Sequence, residues 1–380
     1  MVAASRLFVE QLSWRSCNEL VHPHSCRRAA WQNLYRFAWS NLKYYLPMVI
    51  LDLLRRALRG THLLQLLRDA LLYYAQLVFG GLVNGCLTAG FICLLRHLLG
   101  EFRPHTLLFV PALLGGAFVA LVPIRVKELQ HTVLFQALIE SLLLQRSNPL
   151  TKALASSRWL QTLLFMACSA IIMLGKQRQW HRGFWFVMPD SLQSEKSSKS
   201  ATQYVVQGMR KYLLIGLALD IFRALISCIK TGRWHLKQLS LESMAWLGCY
   251  VGIYRTTLCY MQSKTDVGQT LQQIVSSFLG GLSFVCYPKL TILSYALLEA
   301  GRSLWGKYHR KRRKSRFGYS DLVYPLVLAY LIHTYTFHPK RVSAITGIII
   351  DSTTANYAGN ISKRLQQLQR QPARWHGKWI

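Results

Sequence analysis

Several long stretches of this chain contain no charged side chain. Asp, Glu, Lys and Arg are absent from residues 70–95, 104–124 and 267–288, which are 26, 21 and 22 residues long. Two shorter uncharged stretches, 159–175 and 322–339, have 17 and 18 residues. A bilayer core of about 30 Å is crossed by about 20 apolar residues in a helix. Since 52% of the chain is apolar, the pattern predicts an all-α, polytopic membrane helix bundle with five spans.

Four further apolar stretches are interrupted by an acid or an Arg. They lie at 44–54, 129–145, 212–228 and 243–262. They are either additional spans, which would raise the total to eight or nine, or buried helices of the kind found in soluble bundles. Periodicity alone leaves both interpretations open.

Three short matches recur in the same order along the chain, at offsets of 163, 165 and 159 positions. Three matches in the same order, with small shifts of register, are typical of duplication. Membrane proteins commonly contain internal repeats. The sequence therefore predicts two related units. The matches are Gly85-Cys86 with Gly248-Cys249, Leu114-Gly115-Gly116 before Pro123 with Leu279-Gly280-Gly281 before Pro288, and Ala137–Glu140 with Ala296–Glu299.

Small residues four places apart lie on one face of a helix and let two helices approach closely. This spacing, together with the Leu-Gly-Gly matches, predicts that eight glycines pack helices against one another. They are Gly81, Gly85, Gly115, Gly116, Gly248, Gly252, Gly280 and Gly281.

Acids inside apolar stretches are costly in lipid and are candidates for function. Glu140 and Glu299 are the best candidates because the repeat makes them equivalent, and we expect them to line a polar path between the repeats. The alternative is local pairing. Asp52, Asp220 and Glu299 each precede an Arg by three residues, which places both charges on one helix face.

The formal net charge of +31 comes from 46 basic and 15 acidic side chains. Aromatic residues lie mostly in apolar stretches and are not interleaved with the cations, so the charge favours a membrane surface as partner and not nucleic acid. The densest cluster should attract anionic lipid headgroups, at about 1 kcal/mol per cation; a cytoplasmically retained loop would also explain it. The cluster consists of Lys307, Arg310, Lys311, Arg312, Arg313, Lys314 and Arg316.

Composition divides the chain into two membrane segments with polar flanks. The predicted divisions are a polar N-terminal region containing Cys and His (1–40), a first membrane repeat (41–175), a basic and polar linker (176–211), a second membrane repeat (212–351) and a basic tail (352–380).

Four soft or imidazole ligands lie within ten residues at Cys17, His22, His24 and Cys26. Thiolate and imidazole suit zinc, but the spacing matches no common zinc finger and no second half-site follows. A compact polar cap is therefore favoured over a metal site, and the sequence assigns no metal. No phosphate loop, dinucleotide fingerprint, nucleophile elbow or zinc-protease helix occurs, so we expect neither an enzyme nor a cofactor.

Three groups of residues resemble the transmembrane protein 135 family. Cys17-x-Glu19-x-x-His22 with Cys26 is similar to its cysteine-containing N-terminal region, and 91–102 to its first membrane motif. Residues 253–255 and 278–283 are similar to its second membrane motif, and the resemblance covers most of 17–340. The polar connection at 176–211 and the very high basic charge depart from the family.

The resemblance implies a multi-pass protein of mitochondrial and peroxisomal membranes, linked to mitochondrial division and metabolism and to peroxisome and lipid homeostasis. It implies no catalytic residues, and its partners would be division or lipid-transfer proteins. The family is also distantly similar to the inner-membrane preprotein translocase superfamily, whose helices are glycine-rich. A second hypothesis is a transporter or channel-like unit that moves a lipid, solute or peptide between the two repeats.

Overall fold

The computed structural model is helical throughout the residues it describes, and no strand occurs among them. The chain forms two compact units: unit 1 comprises Met1–Gln145 with Lys314–Ile380, and unit 2 is Arg146–Arg313. This division differs from the predicted sequential boundaries, because the last helices of the chain belong with its first ones. The described residues are 12–57, 63–181, 183–189, 200–231, 240–264, 267–309 and 319–370.

The N-terminal part of unit 1 is dominated by two long helices, α2 and α3. Helix α3 has no internal Pro and ends where Gly100 takes a positive φ of 72° and donates its backbone N–H to the Arg96 carbonyl. Glycine adopts this left-handed conformation without steric cost, which explains the stop. The helices are α1 (Cys17–Leu20), α2 (Cys26–Ala57), α3 (Leu63–Leu99), α4 (Pro104–Leu107), α5 (Phe109–Ala117) and α6 (Ile124–Gln145).

Unit 2 begins with two capped helices. At the first, the side chains and backbones of Asn148 and Thr151 satisfy one another in a capping box, with Pro149 in the first turn. At the second, the Ser157 hydroxyl accepts a hydrogen bond from the Leu160 N–H. The helices of this unit are α7 (Pro149–Ser156), α8 (Arg158–Gln177), α9 (Ala201–Thr231), α10 (Glu242–Lys264), α11 (Gln269–Gly280) and α12 (Leu290–His309).

The C-terminal helices return to unit 1. The first of them packs against α5 and α6, and the last packs against the first. Ser343 caps the middle helix by accepting from the Thr346 N–H. These helices are α13 (Tyr319–Phe337), α14 (Ala344–Thr353) and α15 (Tyr357–Arg370).

Two of the predicted spans change from α-helix to 3₁₀ helix at or just after their Leu-Gly-Gly sequences. In 104–124, α5 gives way to a 3₁₀ turn at Phe118–Leu121, and in 267–288, α11 gives way to one at Gly281–Cys286. A proline follows each turn, and proline disfavours helical backbone in the residue before it. Neither stretch therefore forms one helix of the length a bilayer requires, and the prediction of single spans there is wrong.

Among the described residues, two helices are long and apolar enough to cross a membrane, judged by length and composition: Leu64–Leu99 and Arg158–Gln177. They correspond to the predicted spans 70–95 and 159–175. The fifth predicted span, 322–339, falls in the 19-residue helix α13. The interrupted stretches 44–54, 129–145, 212–228 and 243–262 lie in α2, α6, α9 and α10.

Each unit has its own apolar core. In unit 1, Leu20, Ile92, Leu107 and Ile361 are fully buried in a cluster that joins the N-terminal segment to α3, α4 and α15. In unit 2, Phe165, Tyr250, Tyr254 and Phe284 are fully buried between α8, α10 and the second 3₁₀ turn. The rings of Phe165 and Phe284 are stacked, with centroids 4.9 Å apart.

Candidate functional site

The four glycines singled out in unit 1 are buried where helices meet. A Cβ on Gly81 or Gly85 would meet α2, at Asn41 and at Phe37 respectively. A Cβ on Gly115 would lie 2.9 Å from the backbone nitrogen of Thr88 in α3. A Cβ on Gly116 would lie 3.1 Å from Pro325 Cα in α13. Helix contact at these positions leaves little or no room for a methyl group.

The four glycines of unit 2 are also buried, and they face corresponding neighbours. A Cβ on Gly248 or Gly252 would meet the preceding helix, α9, at Leu213 and Met209. A Cβ on Gly280 would lie 3.3 Å from the Tyr250 carbonyl of α10, and one on Gly281 would lie 2.6 Å from Met166 Cα of α8.

Gly216 is a further contact glycine that the sequence pattern did not predict. It stands on α9 against the backbone of Ser243 and Met244, at the start of α10. One turn later, Asp220 is 1% exposed and accepts the Met244 N–H at 3.0 Å and the Ser243 N–H at 3.4 Å. Asp220 therefore caps α10 from a neighbouring helix, while its predicted partner Arg223 lies 4.0 Å away. In the sequence, the four-residue spacing of Gly216 and Asp220 was the pattern that could have indicated this contact.

The two candidate glutamates lie in different units. Glu140 is 7% exposed in α6, and Glu299 is 1% exposed in α12. One carboxylate oxygen of Glu299 accepts from Arg302 Nη1 at 3.1 Å, and the other lies 3.3 Å from His181 Nε2. Local pairing at i, i+3 thus accounts for one oxygen of Glu299, and His181 of the connection after α8 lies beside the other.

Unit 1 contains a buried ion pair that sequence reasoning missed. Lys127 Nζ lies 3.1 Å from Asp321 Oδ2, and His131 Nε2 lies 3.5 Å from Asp321 Oδ1. All three side chains are at most 7% exposed. Lys127 also donates to the Ala120 carbonyl in the first 3₁₀ turn at 3.1 Å. The pair joins α6 to α13 across 194 positions, a separation that no local pattern reveals.

Asp52, predicted to pair within its helix, contacts Arg125 at 3.0 Å.

One face of α3 exposes large apolar side chains. Leu64, Leu67 and Leu71 follow one another at spacings of three and four residues, and Leu72 and Phe79, seven residues apart, lie beside them. All five are exposed, Leu64 by 83% and Phe79 by 66%. Only 39% of the most apolar window of this helix is buried, against 50% for α8. The core helix of a soluble unit would be mostly buried. We call these five residues the α3 stripe.

An apolar groove opens beside the α3 stripe, between α3, the first 3₁₀ turn and α6. Its volume is about 550 Å³, within the range of about 300–1,000 Å³ that is usual for small-molecule sites. Leu72, Phe79 and Phe118 contribute apolar walls. Asn84 and Gln130 contribute amides.

Most of the predicted lipid-contact cluster, from Arg310 to Arg316, lies outside the described residues. Lys307 is described and exposed at the end of α12. Its ammonium lies 5.4 Å from the centre of the Trp180 ring, a cation–π contact.

At the N-terminus, Cys17, His22 and Cys26 converge, and Cys93 of α3 joins them. A hydrogen bond from the Cys93 thiol lowers the pKa of Cys17 to about 5. Burial raises the pKa of Cys26. His24, the fourth candidate ligand in the sequence, contributes its backbone carbonyl and not its ring. Cys93, which lies 67 positions beyond Cys26 in the chain, is the fourth member of the group instead of His24.

No protein-family model matches the chain, and no solved structure matches it. The fold and the contacts described above therefore define the class over the described residues: an all-α protein in which two helices have the length and apolar composition to cross a membrane.

Proposed function

We propose that this chain is a multi-pass integral protein of mitochondrial or peroxisomal membranes that contributes to mitochondrial division and metabolism and to peroxisome or lipid homeostasis. In this it resembles the transmembrane protein 135 family. It acts without catalysis, through division or lipid-transfer proteins that it binds and through anionic headgroups that its basic residues attract.

The α3 stripe is the observation that carries the membrane assignment. In water, each exposed Leu or Phe would forgo about 1.5–3 kcal/mol of burial free energy. Five such side chains on one face of a single helix form an apolar surface that lipid tails would cover. The helix is 37 residues long, or about 56 Å at 1.5 Å per residue, so its ends extend beyond a hydrocarbon core of about 30 Å.

Matching contacts support the proposal that the membrane part arose by duplication. Each half has a helix with two contact glycines, a shorter helix that ends in Leu-Gly-Gly, a 3₁₀ turn, a proline and a helix with a buried glutamate. The second glycine of each Leu-Gly-Gly faces one further helix: α13 in unit 1 and α8 in unit 2.

The helices α8 and α13 would then be equivalent elements that have exchanged places. They begin at Arg158 and Tyr319, an offset that falls between the 159 and 165 positions of the sequence matches. Each lies in the last part of one predicted repeat and packs in the unit built mainly from the other. Exchange of an identical element between two copies of a chain is a known route to dimers, and the exchange proposed here would be its counterpart within one chain.

Depth-dependent substitutions test the membrane assignment. Phe79→Lys places a charge near the middle of α3, where insertion costs about 2.5–3.5 kcal/mol. The matched control is Leu64→Lys, because a lysine at the helix end can extend its ammonium to the interface. We expect Phe79→Lys to lower the fraction of protein that resists alkaline carbonate extraction, and Leu64→Lys to leave it unchanged. If both variants remained membrane-bound like the wild type, the α3 stripe would not face lipid.

Imaging of the tagged protein in cells tests which organelle contains it. Colocalisation with mitochondrial or peroxisomal markers is the expected result. A chain found only at the plasma membrane would contradict the proposal.

A transporter is the second candidate, and the groove beside the α3 stripe favours it because a lipid could enter the groove directly from the bilayer. Reconstitution in liposomes should then give lipid transfer or solute leakage. Flux that falls in Glu140→Gln or Glu299→Gln would identify a polar path. A flat result for the wild type in both assays would rule the transporter out.

A further inference from the structure

Four side chains with metal-ligating atoms converge at the N-terminal end of unit 1. Cys17 begins α1, His22 follows that helix, Cys26 begins α2, and Cys93 lies in the last third of α3. Their ligand atoms all lie within 4.8 Å of one another. A tetrahedral zinc ion with Zn–S near 2.3 Å and Zn–N near 2.0 Å holds its ligands about 3.5–3.8 Å apart. A contraction of about 1 Å at the widest pair would complete that geometry.

The histidine is already oriented for metal binding. His22 is 5% exposed, and its Nδ1 lies 2.5 Å from the His24 carbonyl, to which it donates. The proton is thereby fixed on Nδ1, and the lone pair of Nε2 faces Cys93 Sγ at 3.3 Å. A carbonyl that holds the distal ring nitrogen is the usual outer-shell support of a histidine ligand.

The backbone around the cluster is held by contacts that do not involve the four side chains. Both Val21 N–H and His22 N–H donate to the Cys17 carbonyl, at 2.8 and 3.0 Å. Arg96 Nε donates to the Arg15 carbonyl at 3.1 Å, which ties the N-terminal segment to the end of α3. The ligands are therefore positioned in advance, which lowers the entropic cost of gathering them.

The position of the cluster suits a metal taken from the aqueous phase. Cys93 lies six residues before the end of α3, or about 9 Å along its axis, beside Arg96 and His97 of the last turn. Cys26 is exposed. A cavity of about 440 Å³ lined by His22, Cys26 and Cys93 gives a route of entry.

We propose that Cys17, His22, Cys26 and Cys93 bind one Zn²⁺ ion in a tetrahedral site that fastens the N-terminal segment to helix α3. Three thiolates and one imidazole form a ligand set of the Cys₃His type that structural zinc sites use. All four positions are filled by protein, so the ion is structural. The site is independent of the proposed function.

Metal analysis of the full-length protein, purified in detergent under reducing conditions without chelator, tests the proposal. The wild type should contain about one zinc per chain, and replacement by Co²⁺ should give the intense visible bands of tetrahedral cobalt–thiolate coordination. Cys93→Ser and Cys26→Ser should each lower the zinc content at least ten-fold. Cys26 is exposed, so this variant should fold even if Cys93→Ser does not.

Cys86→Ser is the matched control. Cys86 lines the same cavity, on the same helix, seven residues before Cys93, but is not one of the four ligands. It should retain the zinc and the cobalt spectrum of the wild type. Wild-type protein without zinc, equal zinc in Cys86→Ser and Cys26→Ser, or a disulfide between two of the ligand cysteines by mass spectrometry in protein from cells would each overturn the proposal.

Discussion

Substitution of Gly115 by Ala should show whether the cost of overpacking between two helices exceeds the gain from the higher helix propensity of Ala. The new methyl group would lie 2.5 Å from Thr88 Oγ1, 2.9 Å from Thr88 N and 3.2 Å from the Asn84 carbonyl. The hydroxyl can rotate away, but the two backbone atoms can retreat only if α3 moves by about 0.5 Å. Overpacking of this kind costs about 1–3 kcal/mol, and Ala regains up to about 1 kcal/mol of helix propensity. We expect a net loss of about 1–2 kcal/mol.

Gly90→Ala is the matched control, because a Cβ there meets nothing within 4 Å and the residue lies on α3, the helix that Gly115 packs against. It should gain up to about 1 kcal/mol from propensity alone. Thermal unfolding in detergent, followed by tryptophan fluorescence, measures both variants. For a unit of about 200 residues, 1 kcal/mol corresponds to about 2–4 °C, so Gly115→Ala should melt about 2–8 °C below the wild type. Equal melting temperatures for the two variants would refute close packing at Gly115.

Two further predictions concern buried charges. Lys127→Met should lower the free energy of unfolding by about 3–5 kcal/mol, because it leaves Asp321 buried without its ammonium partner. The double variant Lys127→Met/Asp321→Leu should recover part of that loss in the same thermal assay; a double variant that loses the sum of the two single changes would contradict the pairing. Asp220→Ala should lose about 1–2 kcal/mol, since it removes the cap from α10. Asp69→Ala, at an exposed acid, should change the stability by less than about 0.5 kcal/mol, and equal effects of the two acid substitutions would show that Asp220 does not cap.

Glycine spacing predicted close contacts better than it predicted spans. Gly81 and Gly85 could be found because small residues four apart define a helix face whatever the partner is. Gly216 was not predicted because its close contact is with the start of α10, a helix that lies further along the chain. Helix length was harder still, since 104–124 is uncharged and long enough to span, yet it is divided at Leu108, passes into a 3₁₀ turn at Phe118 and stops before Pro123.

The metal ligands show the same division between local and distant information. Cys17, His22 and Cys26 are visible as a group in the sequence, although one of the four residues first noted there, His24, proves to offer its carbonyl. Nothing in the local pattern indicates Cys93, because ligands that are far apart in the chain meet only when α3 packs beside α1 and α2.

The sequence by itself determined that this chain is helical, apolar and basic, with related anchors in its two halves, because these properties follow from composition and short-range spacing. Tertiary structure decided which helices are exposed along one face, which acids are paired, and which units form. Helix α13 belongs with α5 and helix α8 with α11 because buried surfaces, such as those around Gly116 and Gly281, select their partners by fit. Fit depends on side chains that lie far apart in the chain, so it could not be predicted from the order of the residues.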